Sequence, residues 1–373
     1  MDQGQRRSGR PVKDRQQHGK TGGWFQRQRE RGVDHRSEGA IAQPCRAHKV
    51  QSTVSILSLL VTLGLDAFPH MSPLPTAAAG QSDAHAFPGF PPCLLVAVEG
   101  MDATAFLQGQ LTCDVASLAA GTWSWFGYCT PAGRLLATGR LACVDSGLYL
   151  QVPEPLGSEL AQRLQRFVLR SRVRIRTLDK AVGRARQAPE SARDEEPLPE
   201  PGTVRVSDGV LTLGVAPQLA IAHPLSEDAL PGVHGASAAE AIRVFEVRNG
   251  APWVVSATRE MFIPQMLGLD AAGGVSFTKG CYPGQEIVAR ARYRGTVKRG
   301  PYLATAQRPL APGAGLCSAR FGAQQAGIVV QSVADGPAWL VHAVIDHSAA
   351  REGLTVQSGG DALSDVRALH EPV

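Results

Sequence analysis

The sequence predicts an α+β protein that ends in a small β-barrel. Three observations carry this expectation. Residues 122–152 fall into three consecutive strand patterns separated by turn residues. Two other segments repeat apolar residues at three- and four-residue steps, and the stretch from Tyr302 to about Val356 breaks into four or five short strands between Gly and Pro turns. Composition agrees: 43% hydrophobic and 19% charged residues are ordinary for a globular chain, and 40 Gly with 26 Pro among 373 residues call for many turns.

In chain order, CLLVAV (Cys93 to Val98) reads as a buried strand. Asp102 stands where an N-cap is wanted for a helix through AFLQGQL, with Phe106, Leu107 and Leu111 on one face. TWSWFGYC (Thr122 to Cys129), RLLATGRLACV (Arg134 to Val144) and LYLQV (Leu148 to Val152), joined by the turns Thr130–Gly133 and Asp145–Gly147, form an antiparallel meander. Its aromatic residues Trp123, Trp125, Phe126 and Tyr128 read as core. Leu156, Leu160, Leu164 and Phe167 mark a helix of about fourteen residues that leads to the strand VRIRTL (Val173 to Leu178). Residues 179–201 combine Pro, Gly and charge and read as a linker or long loop. TVRV, VLTLGVA and QLAIAHP are further strands, and Ala238 to Arg248 is a helix closed by Asn249-Gly250.

The net charge of +5 is uneven along the chain. Residues 1–49 hold 12 basic and 5 acidic residues, so the remainder carries a net of −2. A near-neutral body lacks the concentrated basic face that a duplex requires, so direct duplex nucleic-acid binding is not expected. Residues 1–85 read as a basic extension, unable to bury enough apolar surface to order itself, with one uncharged apolar run, VSILSLLVTLGL (Val54 to Leu65). Twelve residues are too few to span a bilayer. The run has the character of a signal-peptide core, yet a fifty-residue polar leader precedes it, and Met71 offers an alternative start after which the chain reads as one coherent protein. The seven cysteines, Cys45, Cys93, Cys113, Cys129, Cys143, Cys281 and Cys317, show no CxxC pair or regular spacing. They read as reduced thiols of a cytoplasmic protein with no membrane association, and not as a disulfide framework or a closed metal site.

One stretch carries chemistry. In KGCYPGQE, Lys279 to Glu286, Gly280 and Pro283-Gly284 bend the backbone around Cys281 and place it on an exposed loop. Lys279 stands two residues away, and a nearby cation raises the thiolate fraction of a cysteine. Downstream, Arg290, Arg292 and Arg294 alternate on one face of an expected strand followed by Lys298 and Arg299. They are either a solvated strand face or a site for carboxylates or phosphate.

The segment KGCYPGQEIVARARYRGTVKR resembles the signature of the YgfZ family, folate-binding relatives of the glycine cleavage T protein. FLQGQLTCDV (Phe106 to Val115), TPAGRLLA (Thr130 to Ala137), RVFEVRNGAPWV (Arg243 to Val254) and FIPQMLGLDAAGGVSF (Phe262 to Phe277) are similar to that family's other blocks, in order, so the resemblance covers about Cys93 to Val356. It implies a T-protein-like region of mixed antiparallel sheets and helices in a ring around a central channel. That region spans residues 86–300 in two subdomains, with the C-terminal barrel over 301–373. It also implies tetrahydrofolate or a one-carbon derivative as cofactor. The role implied is that of an accessory factor for assembly or repair of iron–sulfur proteins, including those that modify tRNA, whose enzymes and assembly proteins are the partners. Carried over residue by residue, Cys281 and Lys279 become the reactive pair, with Tyr282, Gly284, Gln285 and Glu286 completing the cofactor-side motif beside Gln265 and Arg292. Gln265 lies where the T protein places a pterin-binding glutamate, and is otherwise an ordinary loop residue. The alternative function is that of a folate-dependent aminomethyltransferase or demethylase of the T-protein class, but those enzymes lack the thiol and use an aspartate. Asp114 here fits the early helix without a catalytic claim. A cluster needs about four protein ligands, so one thiol points to a transient or shared contact.

Overall fold

Six apolar residues in a row leave a strand no polar face, and the chain buries both sides of β1 (Cys93–Glu99). The computed structural model describes residues 91–178, 183–187, 197–226, 228–229, 236–322, 324–357 and 359–370. The basic extension and the apolar run of residues 54–65 lie outside them. Strand β1 is interior to a five-stranded antiparallel sheet, with β2 (Thr122–Cys129), β3 (Leu135–Val144), β4 (Gly147–Pro153) and β5 (Arg174–Leu178) in the order β2-β3-β4-β1-β5. Between β1 and β2 stands the short helix α1 (Ala103–Gln108). Asp102 precedes it but does not cap it. Its backbone lies outside the extended region a capping residue uses, and its carboxylate instead accepts the Arg172 N–H at 2.7 Å, tying the end of β1 to the entry of β5. Helix α2 (Leu156–Phe167) buries Leu156, Leu160 and Leu164 against the sheet. Phe167, one step further along the same apolar series, is 52% exposed where the helix runs off the sheet edge.

A second sheet orders β6 (Arg184–Gln187), β9 (Leu219–Pro224), β8 (Val210–Ala216) and β7 (Val204–Ser207) as β6-β9-β8-β7. Strand β6 thus falls in the stretch that composition alone reads as linker. The third unit is a closed barrel of β10 (Arg299–Ala306), β13 (Ala338–Asp346), β12 (Gly327–Asp335), β11 (Gly315–Ser318), β14 (Leu354–Val356) and β15 (Ala362–Ala368), in that order around the ring. Leu316, Val329, Val341 and Ile345 fill its interior. The closing strand β15 lies inside the 301–373 expected for the barrel but beyond the short strands read up to about Val356, because most of its residues face solvent and leave no apolar alternation to see.

Helix α3 (Ala236–Arg248) packs on both the four-stranded sheet and barrel strands β12 and β13. It brings Arg243 and Glu246 inward to meet Arg140 of β3. Glu246 accepts Arg140 Nη2 at 2.5 Å and Arg243 Nη1 at 2.7 Å, and all three side chains are at most 4% exposed. The chain of bonds runs on. Arg140 Nη1 reaches Gln151 of β4 at 2.9 Å, Gln151 meets His223 of β9 at 2.9 Å, and Arg243 Nη2 donates to Gln331 of β12 at 2.8 Å. Trp123, Trp125 and Trp253 surround the Arg140 guanidinium, their ring centres 5.1, 4.6 and 4.9 Å away. Desolvating these charges is costly, and the paired geometry and the aromatic faces offset that cost. One polar network therefore joins all three sheets. Trp123 adds a bond from its indole N–H to the Gly214 carbonyl of β8 at 2.9 Å.

Candidate functional site

The chain from Ser256 to Gly284 has no regular strand; two short 3-10 turns, Ser256–Thr258 and Pro264–Leu267, punctuate it before helix α4 (Gln285–Tyr293). Side chains and backbone from distant blocks hold it. Thr112 is at the centre: its Oγ1 donates to the Gly274 carbonyl at 2.5 Å and accepts the Gly127 N–H at 2.8 Å, while its own carbonyl accepts the Ser276 N–H at 2.9 Å. Gln108 supports this loop by accepting the Val115 N–H at 2.7 Å and donating to the Asp114 carboxylate at 2.8 Å.

Lys279 is the main tie between KGCYPGQE and that early block. Its ammonium donates to the carbonyls of Leu111 and Cys113, both at 2.7 Å, and lies 5.3 Å from the centre of the Tyr282 ring. Burial holds the ammonium below the usual lysine range, with the Cys113 thiol and Asp114 carboxylate pulling the other way. Two of its three donors are thus spent on backbone oxygens 166 and 168 positions away. Tyr282 is buried, and burial raises its hydroxyl pKa.

Gly284 marks the second close approach. Its φ is +82°, and a Cβ there would come within 2.5 Å of the Thr130 carbonyl and 2.8 Å of Gly133 Cα. Gly133, at φ +72°, is pressed in turn against Ile287. The TPAG turn and the start of α4 therefore meet glycine to glycine. A third tie comes from Gln265, whose Nε2 donates to the Val288 carbonyl of α4 at 2.7 Å, while its buried Oε1 has no hydrogen-bond partner.

Between these anchors Cys281 faces solvent. Among the described cysteines it alone is exposed; Cys93, Cys113 and Cys129 are buried, and burial pushes the thiols of Cys113 and Cys129 up to about 12. No group of three metal-ligating side chains occurs among the described residues. Gln285 is half-buried at the first turn of α4, whereas Glu286 is exposed and pairs with Arg290 at 2.8 Å. Arg292 is exposed, its guanidinium 5.4 Å from the centre of the Phe277 ring. The strand expected through Arg290, Arg292 and Arg294 is a helix, so Arg290 and Arg292 point to different sides of α4. The Glu286–Arg290 pair in the first turns favours the helix, and the alternating charges that suggested a strand carry no buried face.

No family model matches the chain. It is 31% identical over 282 residues to the tRNA-modifying protein YgfZ of Sodalis glossinidius, covering 70% of this chain and 84% of that one. The chain belongs to the YgfZ family. The corresponding protein of Hamiltonella defensa is 28% identical over 286 residues, covering 72% of this chain and 85% of the relative. Among solved structures, the glycine cleavage system aminomethyltransferase T from Bartonella henselae superposes with a TM-score of 0.53 at 18% identity, over 73% of this chain and 82% of that one. The family's α+β architecture is therefore the T-protein fold, with the terminal barrel closed. No helix among the described residues is long and apolar enough to cross a membrane.

Proposed function

We propose that this YgfZ family member is a tetrahydrofolate-binding accessory factor in the cytoplasm that serves iron–sulfur proteins, including those that modify tRNA, through the Cys281 thiol. The observation that carries this reading is the mounting of Cys281. An exposed thiol sits on a loop fastened by Lys279 to the Leu111 and Cys113 carbonyls and by Gly284 to the TPAG turn. A side chain held so from both sides is built to be presented, and a lone packing cysteine needs no such frame. The name of the curated relatives supports a role connected with tRNA modification.

Tetrahydrofolate fits the residues at one point in particular. The unpartnered Oε1 of Gln265 is an acceptor for an N–H of the pterin's aminopyrimidinone edge, while Nε2 stays on Val288 and keeps the amide oriented. When bound, the cofactor supplies a one-carbon acceptor. The chain's own residues do the rest: Lys279 fixes the loop, Tyr282 packs beneath it, Gly284 and Gln285 set the start of α4, and Glu286 and Arg292 remain at the surface. Cys281 contributes one thiolate to a cluster or sulfur species completed by the partner, since one cysteine supplies one of about four ligands. Calorimetry of the full chain with tetrahydrofolate tests the cofactor: binding that Gln265→Ala weakens is expected, and an absent heat signal removes it.

A further inference from the structure

A cleft of about 480 Å³ opens between the end of α4 and the barrel. That volume is within the 300–1,000 Å³ typical of small-ligand sites. Its walls differ in character. Met261, Met266 and Ile328 give it an apolar surface, and Arg134, Lys298 and Arg299 bring three cations against one carboxylate, Asp346. Asp346 is itself occupied, its Oδ1 accepting the N–H and hydroxyl of Ser348. Arg134 and Arg299 each donate to a backbone carbonyl, of Met261 and Gln325, and Lys298 has no carboxylate partner among the described residues. Nothing in the mounting of Cys281 uses this cleft.

The cations do not stop at its mouth. Arg292 and Arg294 are exposed on the adjoining end of α4, and Tyr293 between them is 68% exposed although it is a large aromatic. Its ring packs edge-on against Phe277 at 6.0 Å, which steadies it and leaves a face to solvent. Met261 in the cleft is 40% exposed as well. Exposed cations, a cleft with room for a base against Met261 and Met266, and an exposed aromatic on the adjoining end of α4 are the parts from which single-strand readers are built: phosphates track the cations and bases stack. A folded duplex offers no unstacked base to such a slot.

We propose that this surface binds a single-stranded RNA segment, with one nucleobase entering the cleft against Met261 and Met266 and the flanking phosphates held by Lys298, Arg134 and Arg294. The surface shares Arg292, and the Ile263–Met266 segment that carries Gln265, with the folate reading, and the tetrahydrofolate arm of the test below separates the two.

Fluorescence anisotropy of the full chain with labelled decauridylate tests it. Binding at 50 mM salt is expected to weaken as salt rises with a log–log slope of about −2, the mark of roughly three neutralised phosphates on a single strand. Lys298→Glu and Arg294→Glu, both at exposed positions, are each expected to weaken binding about tenfold, and the uncharged change Met261→Ser about threefold. The inference is overturned if decauridylate does not bind, or if all three variants bind as the parent does. It is also overturned if duplex RNA or polyglutamate competes as well as decauridylate, which would leave only a general polyanion surface. Displacement by uridine monophosphate at equal nucleotide concentration would assign the cleft to a free nucleotide, and displacement by tetrahydrofolate would assign it to the cofactor; either result overturns the RNA assignment. Folate calorimetry, read separately, shows whether the functional reading stands whichever way the RNA result falls.

Discussion

Removing the Glu246 carboxylate would strand two guanidinium groups at the junction of three sheets. In Glu246→Ala, Arg140 and Arg243, whose side chains are 1% and 2% exposed, lose the acceptor they share. Arg140 keeps its bond to Gln151 and its three indole neighbours, and Arg243 keeps Gln331. Breaking a buried pair by deleting one partner costs about 3–5 kcal/mol. For a domain of this size each kcal/mol lowers the melting temperature by about 2–4 °C, so the expected fall is about 6–20 °C. Scanning calorimetry on the purified chain measures it directly. A triple variant, Arg140→Met with Arg243→Met and Glu246→Leu, replaces all three charges by apolar volume and is expected to recover much of the loss, because the desolvation cost disappears with the charges. A melting temperature within 2 °C of the parent for Glu246→Ala would refute the claim that this network joins the sheets.

Three further outcomes follow from the site and the barrel. Gly284→Ala forces a side chain into a φ of +82° against the Thr130 carbonyl, and is expected to cost more than about 1 kcal/mol in urea unfolding and to loosen the Cys281 loop, seen as faster proteolysis there. Iodoacetamide at pH 8 is expected to label Cys281 at least about 100-fold faster than Cys93, Cys113 or Cys129, since burial keeps those thiols protonated and shielded; equal labelling by peptide mass spectrometry would contradict the packing. His342, inside the barrel network, is held neutral by burial, its pKa lowered to about 3, with His370 and Arg243 acting in the same direction. The unfolded chain takes up that proton below about 6.5, so stability falls with pH from 6.5 toward 3, by up to about 1.4 kcal/mol per pH unit. Urea unfolding of His342→Asn at pH 7 and pH 5 should show a shallower acid loss than the parent, and identical slopes would argue against a neutral buried imidazole.

The strands and the barrel were legible because their apolar residues alternate or run together, as in Cys93–Val98, and because Gly and Pro mark their ends. The strand β15 was not, for five of its seven residues are exposed and only Leu363 and the half-buried Val366 pack on the barrel core. Motif spacing also pointed to an exposed Cys281. The same spacing misled about Arg290 to Arg294, where an alternating charge pattern belongs equally to an exposed helix face. It also gave no sign that the Lys279 ammonium donates to the Leu111 and Cys113 carbonyls. Backbone acceptors leave no trace in residue identity. The Arg140–Glu246–Arg243 network escaped for a related reason: Arg243 and Glu246 carry the i, i+3 spacing of a helical pair, but nothing local signals that an arginine 103 positions earlier, on a strand beside two tryptophans, completes it.

The central claim is that the mounted thiol does the work. A strain lacking its own family member, carrying this chain with Cys281→Ser and expressing it at the parent level, measures that claim through the activity of its iron–sulfur tRNA-modifying enzymes. The account predicts activity no better than the empty vector while the variant remains folded and still binds tetrahydrofolate. Full restoration of activity by Cys281→Ser would contradict it.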